Sequence, residues 1–198
     1  MNNKYKIIVI GDSNVGKTSI IDSYVNDSNN NKIPKITIGT QFTETYISKH
    51  KIYLQIWDCA GQEKFRALTK LYYRNSTACI LIFDLSNINT LISLEQYWIK
   101  AVLNNTDTPP LFLLVGNKSD LKSTISHIDI MQLANKYNMT YIETSVINKS
   151  NIDTLFNTIA TQLISQKFPI IQDFNIEFTV NLDKNTNNTY LNNLYSYC

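Results

Sequence analysis

The feature that most restricts the fold of this chain is a short loop between an apolar run and a helical segment. The loop spans residues 11–18 and reads GDSNVGKT; the apolar run is 6–10, and the helical pattern covers 16–26. The loop fits G-x-x-x-x-G-K-[ST] in the strand–loop–helix context that this pattern requires. Its backbone N–H groups and the helix N-terminus are suited to cradling phosphates. The sequence therefore predicts a phosphate-binding loop.

Glycine is scarce, and its placement is informative. The chain has only five glycines in 198 residues, whereas average usage of about 7% would give roughly fourteen. They are Gly11, Gly16, Gly39, Gly61 and Gly116. Each lies in or beside a candidate nucleotide-binding motif, where positive φ or close backbone approach calls for glycine. The distribution indicates a nucleotide site.

Composition sets the broad class. The chain is 43% hydrophobic and 17% charged, which is typical of a globular protein, and its net charge of +2 without a basic run gives no support for nucleic-acid binding. The three cysteines show neither a paired framework nor metal-ligand spacing. Helical periodicity fades near residue 168, so we expect one domain over 1–167 and a flexible tail over 168–198.

Short β-branched runs alternate with segments of helical period, which favours βα units around a mainly parallel sheet. Strands are predicted at 6–10, 41–48, 51–57, 78–84, 111–116 and 140–142. The second and third strands form an antiparallel hairpin at the sheet edge. Helices are predicted at 16–26, 64–75, 90–104, 127–138 and 151–166. The predicted fold class is α/β, a P-loop NTPase with a six-stranded, mostly parallel sheet and helices on both faces.

A second motif, WDCAGQE, follows the third predicted strand over residues 57–63. Asp58 ends the strand, where its carboxylate is placed to hold Mg²⁺ through water. The backbone N–H of Gly61 can approach a γ-phosphate, and Gln62 can orient the attacking water. Lys17 is expected to neutralise the β- and γ-phosphate oxygens, and Thr18 to ligate the metal.

A third motif, NKSD, follows the apolar strand that ends at Gly116 and spans residues 117–120. The carboxylate of Asp120 can accept two hydrogen bonds from guanine, from N1–H and from the exocyclic amine. Adenine offers no such donor pair, so the motif selects GTP over ATP.

Together these motifs make residues 4–167 resemble a small GTPase of the Ras superfamily, and most of all the Rab family. The Rab-like segments are IGTQF at 38–42, YLQIW at 53–57, KFR at 64–66, YYR at 72–74 and LIFD at 81–84. Thr37, within ITIG at 36–39, matches the switch I threonine that senses γ-phosphate and Mg²⁺. Glu143-Thr144-Ser145 resembles the fifth guanine-contacting motif. The resemblance implies a slow GTPase, with Mg²⁺ as cofactor and GTP or GDP as ligand. It also implies an exchange factor, a GTPase-activating protein and effectors as partners, and a monomeric state.

The resemblance, combined with the motifs, assigns the site residue by residue, with Gln62 as the catalytic residue. Phosphate contacts are assigned to Gly11, Asp12, Ser13, Asn14, Val15, Gly16, Lys17, Thr18, Ser19, Thr37 and Gly61. Guanine contacts are assigned to Asn117, Lys118, Asp120, Ser145 and Val146, and metal contacts to Thr18, Thr37 and Asp58 through water. The effector-facing residues are Ile38, Gly39, Phe42, Trp57 and Tyr72. Core packing is the alternative explanation for Phe42, Trp57 and Tyr72, and these aromatics can both pack in the core and face effectors.

The chain departs from the Rab pattern mainly at the base end of the site. Residues 28–31 read SNNN, with no counterpart of the aromatic residue that packs edge-on to guanine, and Val146 and Ile147 replace the usual Ala-Lys. We therefore expect faster nucleotide release than in a typical relative. Asn14 and Asn75 stand where relatives use glycine. Asparagine tolerates the left-handed region better than most residues, so the loop is expected to survive.

The end of the sequence offers one lipidation candidate, Cys198, where Rab proteins usually carry two cysteines, and Tyr195 rules out a C-a-a-X box. Single geranylgeranylation and an unmodified thiol are both open. One prenyl group gives reversible anchoring, so the expected location is cytoplasmic, on the cytosolic face of an intracellular membrane if Cys198 is prenylated. A scaffold with little or no GTP turnover is the alternative function.

Overall fold

The computed structural model describes residues 3–25, 39–61 and 70–166. These residues build a six-stranded sheet in the order β2-β3-β1-β4-β5-β6. The strands are β1 (Asn3–Ile10), β2 (Thr40–Ile47), β3 (Ile52–Cys59), β4 (Ala78–Asp84), β5 (Leu111–Asn117) and β6 (Thr140–Glu143). All neighbours pair in parallel except β2, which runs antiparallel to β3 at one edge. This confirms the predicted fold class.

The helices of the described part are α1 (Lys17–Val25), α2 (Ile88–Ser93), α3 (Ile99–Leu103), α4 (His127–Lys136) and α5 (Ile152–Ser165). A π-helical turn, Leu94–Trp98, joins α2 to α3. Polar caps define two of the starts: the side chain of Asn87 accepts from the N–H of Asn89 before α2, and that of Ser126 accepts from the N–H of Asp129 before α4. None of these helices is long and apolar enough to cross a bilayer.

Two apolar cores lie on opposite faces of the sheet. One core packs α1 and α5 against alternate strand residues such as Ile7, Leu54 and Ile80. The other core packs α4 and the continuous helical segment Ile88–Leu103, called the α2–α3 rod, against the intervening strand residues, among them Ile8, Cys79 and Leu81. Alternate side chains of each strand point into opposite cores. Because helices cover both faces of the sheet, β4 is buried at every position. The predicted helices on both faces are confirmed.

Parallel pairing brings the carboxyl ends of five strands to one edge of the sheet. The segments that leave β1, β3, β4, β5 and β6 there begin with Gly11, Ala60, Leu85, Lys118 and Thr144. In open α/β sheets, ligands bind at this edge. All the sequence motifs that carry candidate chemistry therefore emerge on one side of the molecule.

Two expectations need correction. The helix predicted at 64–75 falls partly outside the described residues, and within them it is only a short 3-10 turn, Lys70–Tyr72. A reverse turn follows, in which the N–H of Ser76 donates to the carbonyl of Tyr73 at 3.2 Å and Asn75 takes the left-handed conformation with φ 56°. A left-handed residue ends helical geometry, so the helix cannot extend to 75.

Gly116 does not act through positive φ, which is one of the two reasons for glycine that the sequence suggests. It lies inside β5, and its φ is not positive. A Cβ at Gly116 would come within 2.8 Å of the Tyr141 hydroxyl and 3.1 Å of Leu85 side-chain carbons. Glycine is needed here because neighbouring side chains occupy the space, and not because of backbone conformation.

Candidate guanine-nucleotide site

The phosphate loop begins directly after β1 and leads into α1, as the sequence predicts. Gly16 has φ +98°, and a Cβ there would lie 2.2 Å from Asn117 Nδ2. Both its backbone conformation and its surroundings therefore exclude any other residue. Asn14 has φ 64°, so asparagine does adopt the left-handed conformation at this position. Asn14 thus supplies at this position the conformation for which glycine is usually needed.

Lys17 opens α1 with its side chain folded back over the loop. Its Nζ donates to the carbonyl oxygens of Gly11 at 3.0 Å and Asp12 at 2.7 Å, and only 6% of the residue is exposed. Burial lowers the pKa of Lys17, and the nearby acidic side chain of Asp58 partly opposes this shift. A desolvated ammonium held by two carbonyls gains strongly from an anionic ligand, because its charge has lost its water.

Thr18 and Asp58 meet where the first and second motifs converge. The Thr18 hydroxyl donates to the Asp58 carboxylate, and only 3% of Asp58 is exposed. A hydroxyl and a carboxylate oxygen side by side are the hard donors that Mg²⁺ prefers. These residues therefore supply the donor types that a magnesium ion would take.

Gly61 brings the second motif against the phosphate loop. A Cβ there would lie 2.5 Å from the backbone of Asp12 and of Ser13, so a side chain would collide with the loop's main chain. Close backbone approach is the role expected for this glycine. The backbone of Gly61 therefore lies directly against the phosphate loop.

The third and fifth motifs come together at the base end. The Ser145 hydroxyl donates to Asp120 Oδ1, which orients the carboxylate assigned to guanine. The Thr144 hydroxyl donates to Asn117 Oδ1 at 3.1 Å, and Asn117 Nδ2 donates to the Val15 carbonyl at 2.8 Å. Three of the assigned guanine contacts, Asn117, Asp120 and Ser145, are thus joined through the Thr144–Ser145 segment, and Asn117 ties them to the phosphate loop.

Lys118 is held by Asp84, the last residue of β4. Its Nζ lies 2.6 Å from Asp84 Oδ2, and its backbone is left-handed with φ 64°. Burial alone raises the pKa of Asp84, but hydrogen bonds from Lys118 and Ser86 outweigh it and leave the pKa lowered. The ion pair fixes the lysine stem beside the site.

The loop after β6 is closed by a pair of backbone hydrogen bonds between Ser145 and Ser150, at 2.9 and 3.2 Å. Val146 packs partly against the α1–α5 core. Ile147, at the tip, is 80% exposed. The loop therefore holds its shape through the backbone and presents an isoleucine side chain to solvent.

The three aromatics assigned to effectors form one contiguous surface. The ring centroids of Phe42 and Trp57 are 5.0 Å apart, and those of Trp57 and Tyr72 are 5.3 Å apart. Phe42 is 48% exposed, and Lys6 Nζ lies 5.3 Å from the Trp57 ring centroid. Gly39 is held beside this surface, since its carbonyl accepts from the N–H of Ala60 at 2.9 Å.

Four residues assigned from the sequence lie outside the described residues: Thr37, Ile38, Gln62 and Cys198. Conversely, the structure brings to the site four residues that sequence analysis did not assign: Asp84, Ser93, Trp98 and Thr144. Asp84 carried a signal, an acid ending an apolar strand, and Thr144 lies within a quoted motif. Ser93 and Trp98 lie in no motif, so only the long-range fold reveals them.

Comparison with known proteins agrees with this geometry. The family model described as "Ras family" matches residues 6–165. "Ras-related protein Rab-11A" of Dictyostelium discoideum is 38% identical over 163 residues, covering 80% of this chain and 75% of the relative. "Ras-related protein Rab-11B" of the same organism is 36% identical over 188 residues, covering 92% and 82%. "Ras-related protein RABA4a" of Arabidopsis thaliana is 35% identical over 165 residues, covering 81% and 72%.

Proposed function

The chain belongs to the Ras family of small GTPases and to its Rab branch, and from that premise we propose that it is a GTP/GDP-dependent switch in intracellular vesicle traffic. Members of this family bind and hydrolyse GTP. The observation that carries the proposal is the junction of the two ends of the site. Asn117 links the base-binding network to the phosphate loop at Val15, so one ligand with both a guanine and a phosphate chain is accommodated.

Within this site, Lys17 draws the β- and γ-phosphates to a desolvated ammonium. Thr18 and Thr37 would hold Mg²⁺, with Asp58 acting through water. When bound, the ion would supply positive charge beside the phosphate oxygens. Asn14, Ser19 and the remaining loop residues contribute backbone or hydroxyl contacts. Asp120 reads the guanine N1–H and amine, while Ser145 keeps the carboxylate in place.

Hydrolysis needs an oriented water rather than a strong base, because positioning and electrostatics carry phosphoryl transfer. Gln62 orients that water. The sequence shows no arginine finger in cis, since Arg66 and Arg74 lie in or after the second-motif region. Turnover by the protein alone is therefore slow, and a GTPase-activating partner raises it by about 10³–10⁵-fold.

Single-turnover hydrolysis of bound GTP tests this proposal against the scaffold alternative. The Gln62→Leu variant is expected to bind GTP like the wild type but to hydrolyse it more slowly, with and without an activating protein. Equal rates in the two proteins would favour a scaffold whose turnover is irrelevant. ATP in large excess should not displace labelled GDP, since adenine lacks the donor pair that Asp120 requires.

The aromatic surface of Phe42, Trp57 and Tyr72, with Ile38 and Gly39 beside it, is proposed to contact effectors when GTP is bound. The protein acts as a monomer. Cys198 carries a single prenyl group that anchors it reversibly to a membrane. The intact mass of the protein isolated from its native cell tests the lipid directly: an unmodified mass would refute membrane attachment through Cys198.

A further inference from the structure

Two side chains from the α2–α3 rod reach the phosphate loop and bind the same oxygen of Asp12. The Ser93 hydroxyl donates to Asp12 Oδ1 at 2.8 Å, and Trp98 Nε1 donates to it at 2.8 Å. Hydrogen bonds to an ionised acceptor are about twice as strong as those between neutral groups. The loop is therefore tied to a helix on one face of the sheet through a single carboxylate.

The π-helical turn explains how both donors reach one atom. Ser93 and Trp98 are five residues apart, and in a regular α-helix with 3.6 residues per turn they would point about 140° away from each other. A π turn instead places residues i and i+5 one turn apart. The turn over Leu94–Trp98, closed by the N–H of Ile99 on the Leu94 carbonyl, thus aligns the two donors.

Asp12 links several parts of the phosphate end of the site. Its carbonyl accepts from Lys17 Nζ at 2.7 Å, and its backbone lies against Gly61, where a Cβ would come within 2.5 Å. A carboxylate in a phosphate-binding loop would also weaken ligand binding if its side chain turned toward the phosphates, because like charges repel. The orientation of Asp12 therefore affects both the lysine and the local charge.

We propose that Trp98 and Ser93 are positioning residues for nucleotide binding, which act by holding the Asp12 carboxylate on the π-helical turn. So held, the carboxylate is kept from the phosphates, and the Asp12 carbonyl stays in place for Lys17. This inference rests on nucleotide binding at the phosphate loop. Trp98 is completely buried, so the test must separate its N–H from its contribution to packing.

The test measures release of mant-GDP from the full chain. Trp98→Phe keeps an aromatic ring but removes the donor, and Ser93→Ala removes the second donor with little change in packing. Release is expected to be about tenfold faster for Trp98→Phe and faster to a smaller degree for Ser93→Ala. Gln162→Met is the matched control, since it removes a part-buried 2.6 Å bond to Thr140 far from the loop.

Substitutions of Asp12 show whether Trp98 acts through the carboxylate. Asp12→Asn retains an acceptor for both donors, whereas Asp12→Ala retains none, so release should be slower from the asparagine variant than from the alanine variant. Adding Trp98→Phe to Asp12→Ala should change release by less than about twofold, because the partner is already gone.

Several outcomes would overturn the inference. Additive effects of Trp98→Phe and Asp12→Ala would mean that the tryptophan acts through packing alone. Release from Ser93→Ala and Trp98→Phe no faster than from Gln162→Met would have the same meaning. If Trp98→Phe fails to fold, the inference is tested by mant-GDP release from Ser93→Ala and by the comparison of Asp12→Asn with Asp12→Ala. Wild-type protein that binds no mant-GDP would instead refute the proposed function itself, and the inference with it.

Discussion

Asn117 and Val15 are joined across the site by a hydrogen bond of 2.8 Å from the asparagine Nδ2 to the valine carbonyl. Asn117 is buried, with 2% exposed, and it also accepts from Thr144 at 3.1 Å. One side chain therefore holds together the phosphate loop, the end of β5 and the loop after β6. The integrity of both ends of the nucleotide site depends on it.

Asn117→Ala should release GDP faster than the wild type. The change leaves the buried Val15 carbonyl without this donor, at a cost of about 1–3 kcal/mol. Release of mant-GDP is expected to accelerate by at least about fivefold, with a lower melting temperature. Thr144→Val removes only the longer bond and should have a smaller effect. Unchanged release from Asn117→Ala would show that this link is dispensable.

The backbone of the β2–β3 hairpin offers a stabilising substitution. Lys51 is exposed at the turn and has φ 54°, a conformation that costs an L-residue about 1–2 kcal/mol. Lys51→Gly removes this strain but adds chain entropy to the unfolded state. We expect a net rise in melting temperature of about 1–4 °C, measured by calorimetry.

Lys49→Gly is the control for this prediction. It removes the same side chain in the same turn, but Lys49 is not among the residues with positive φ. Its melting temperature should stay the same or fall. If both variants shift equally, loss of the lysine side chain, rather than relief of the backbone, is the cause.

The sequence predicted the strands well because strands are recognised from local patterns. Apolar runs such as 78–84 are buried at every position, and the asparagines at 14 and 75 adopt the left-handed conformation that glycine would supply. Lys51, Lys118 and Lys149 adopt it as well, yet nothing in a lysine predicts this. At these positions the surrounding fold imposes the conformation.

The π-helical turn and the role of Gly116 could not be predicted for a related reason. Trp98 bonds a residue 86 positions away, so no helical periodicity reveals why the turn widens at 94–98. Gly116 is required by Tyr141 and Leu85, whose approach depends on how β6 and the segment after β4 pack. Both features come from tertiary contacts between distant segments.

Lys6 should contribute more to the free energy of unfolding as the pH rises above 8. Burial lowers its pKa to about 8, while the nearby Cys59 opposes the shift; its Nζ donates to the Arg74 carbonyl at 2.7 Å. Because the unfolded lysine titrates near 10.5, the unfolded chain binds more protons between about pH 8 and 10.5. By linkage, the contribution of Lys6 to the free energy of unfolding rises across that window.

Urea unfolding of the wild type and of Lys6→Met at several pH values tests this prediction. The free energy of unfolding of the wild type minus that of Lys6→Met should increase as the pH rises from 8 to 10. Lys100→Met, which removes an exposed lysine of α3, controls for the loss of one charge. A difference that stays constant with pH would contradict the lowered pKa of Lys6.

Ile147 is the point at which the base end of the site should be easiest to improve. It is 80% exposed at the tip of the loop after β6, where the family usually carries a lysine whose stem covers the base. Ile147→Lys should slow the release of mant-GDP, since each methylene buried against the base contributes about 0.8 kcal/mol at most. Ile128→Lys changes another exposed isoleucine, 69% exposed on α4, and should leave release unaltered. Equal slowing in both variants would trace the effect to net charge, and no slowing in either would show that a lysine stem at position 147 does not contribute to nucleotide binding.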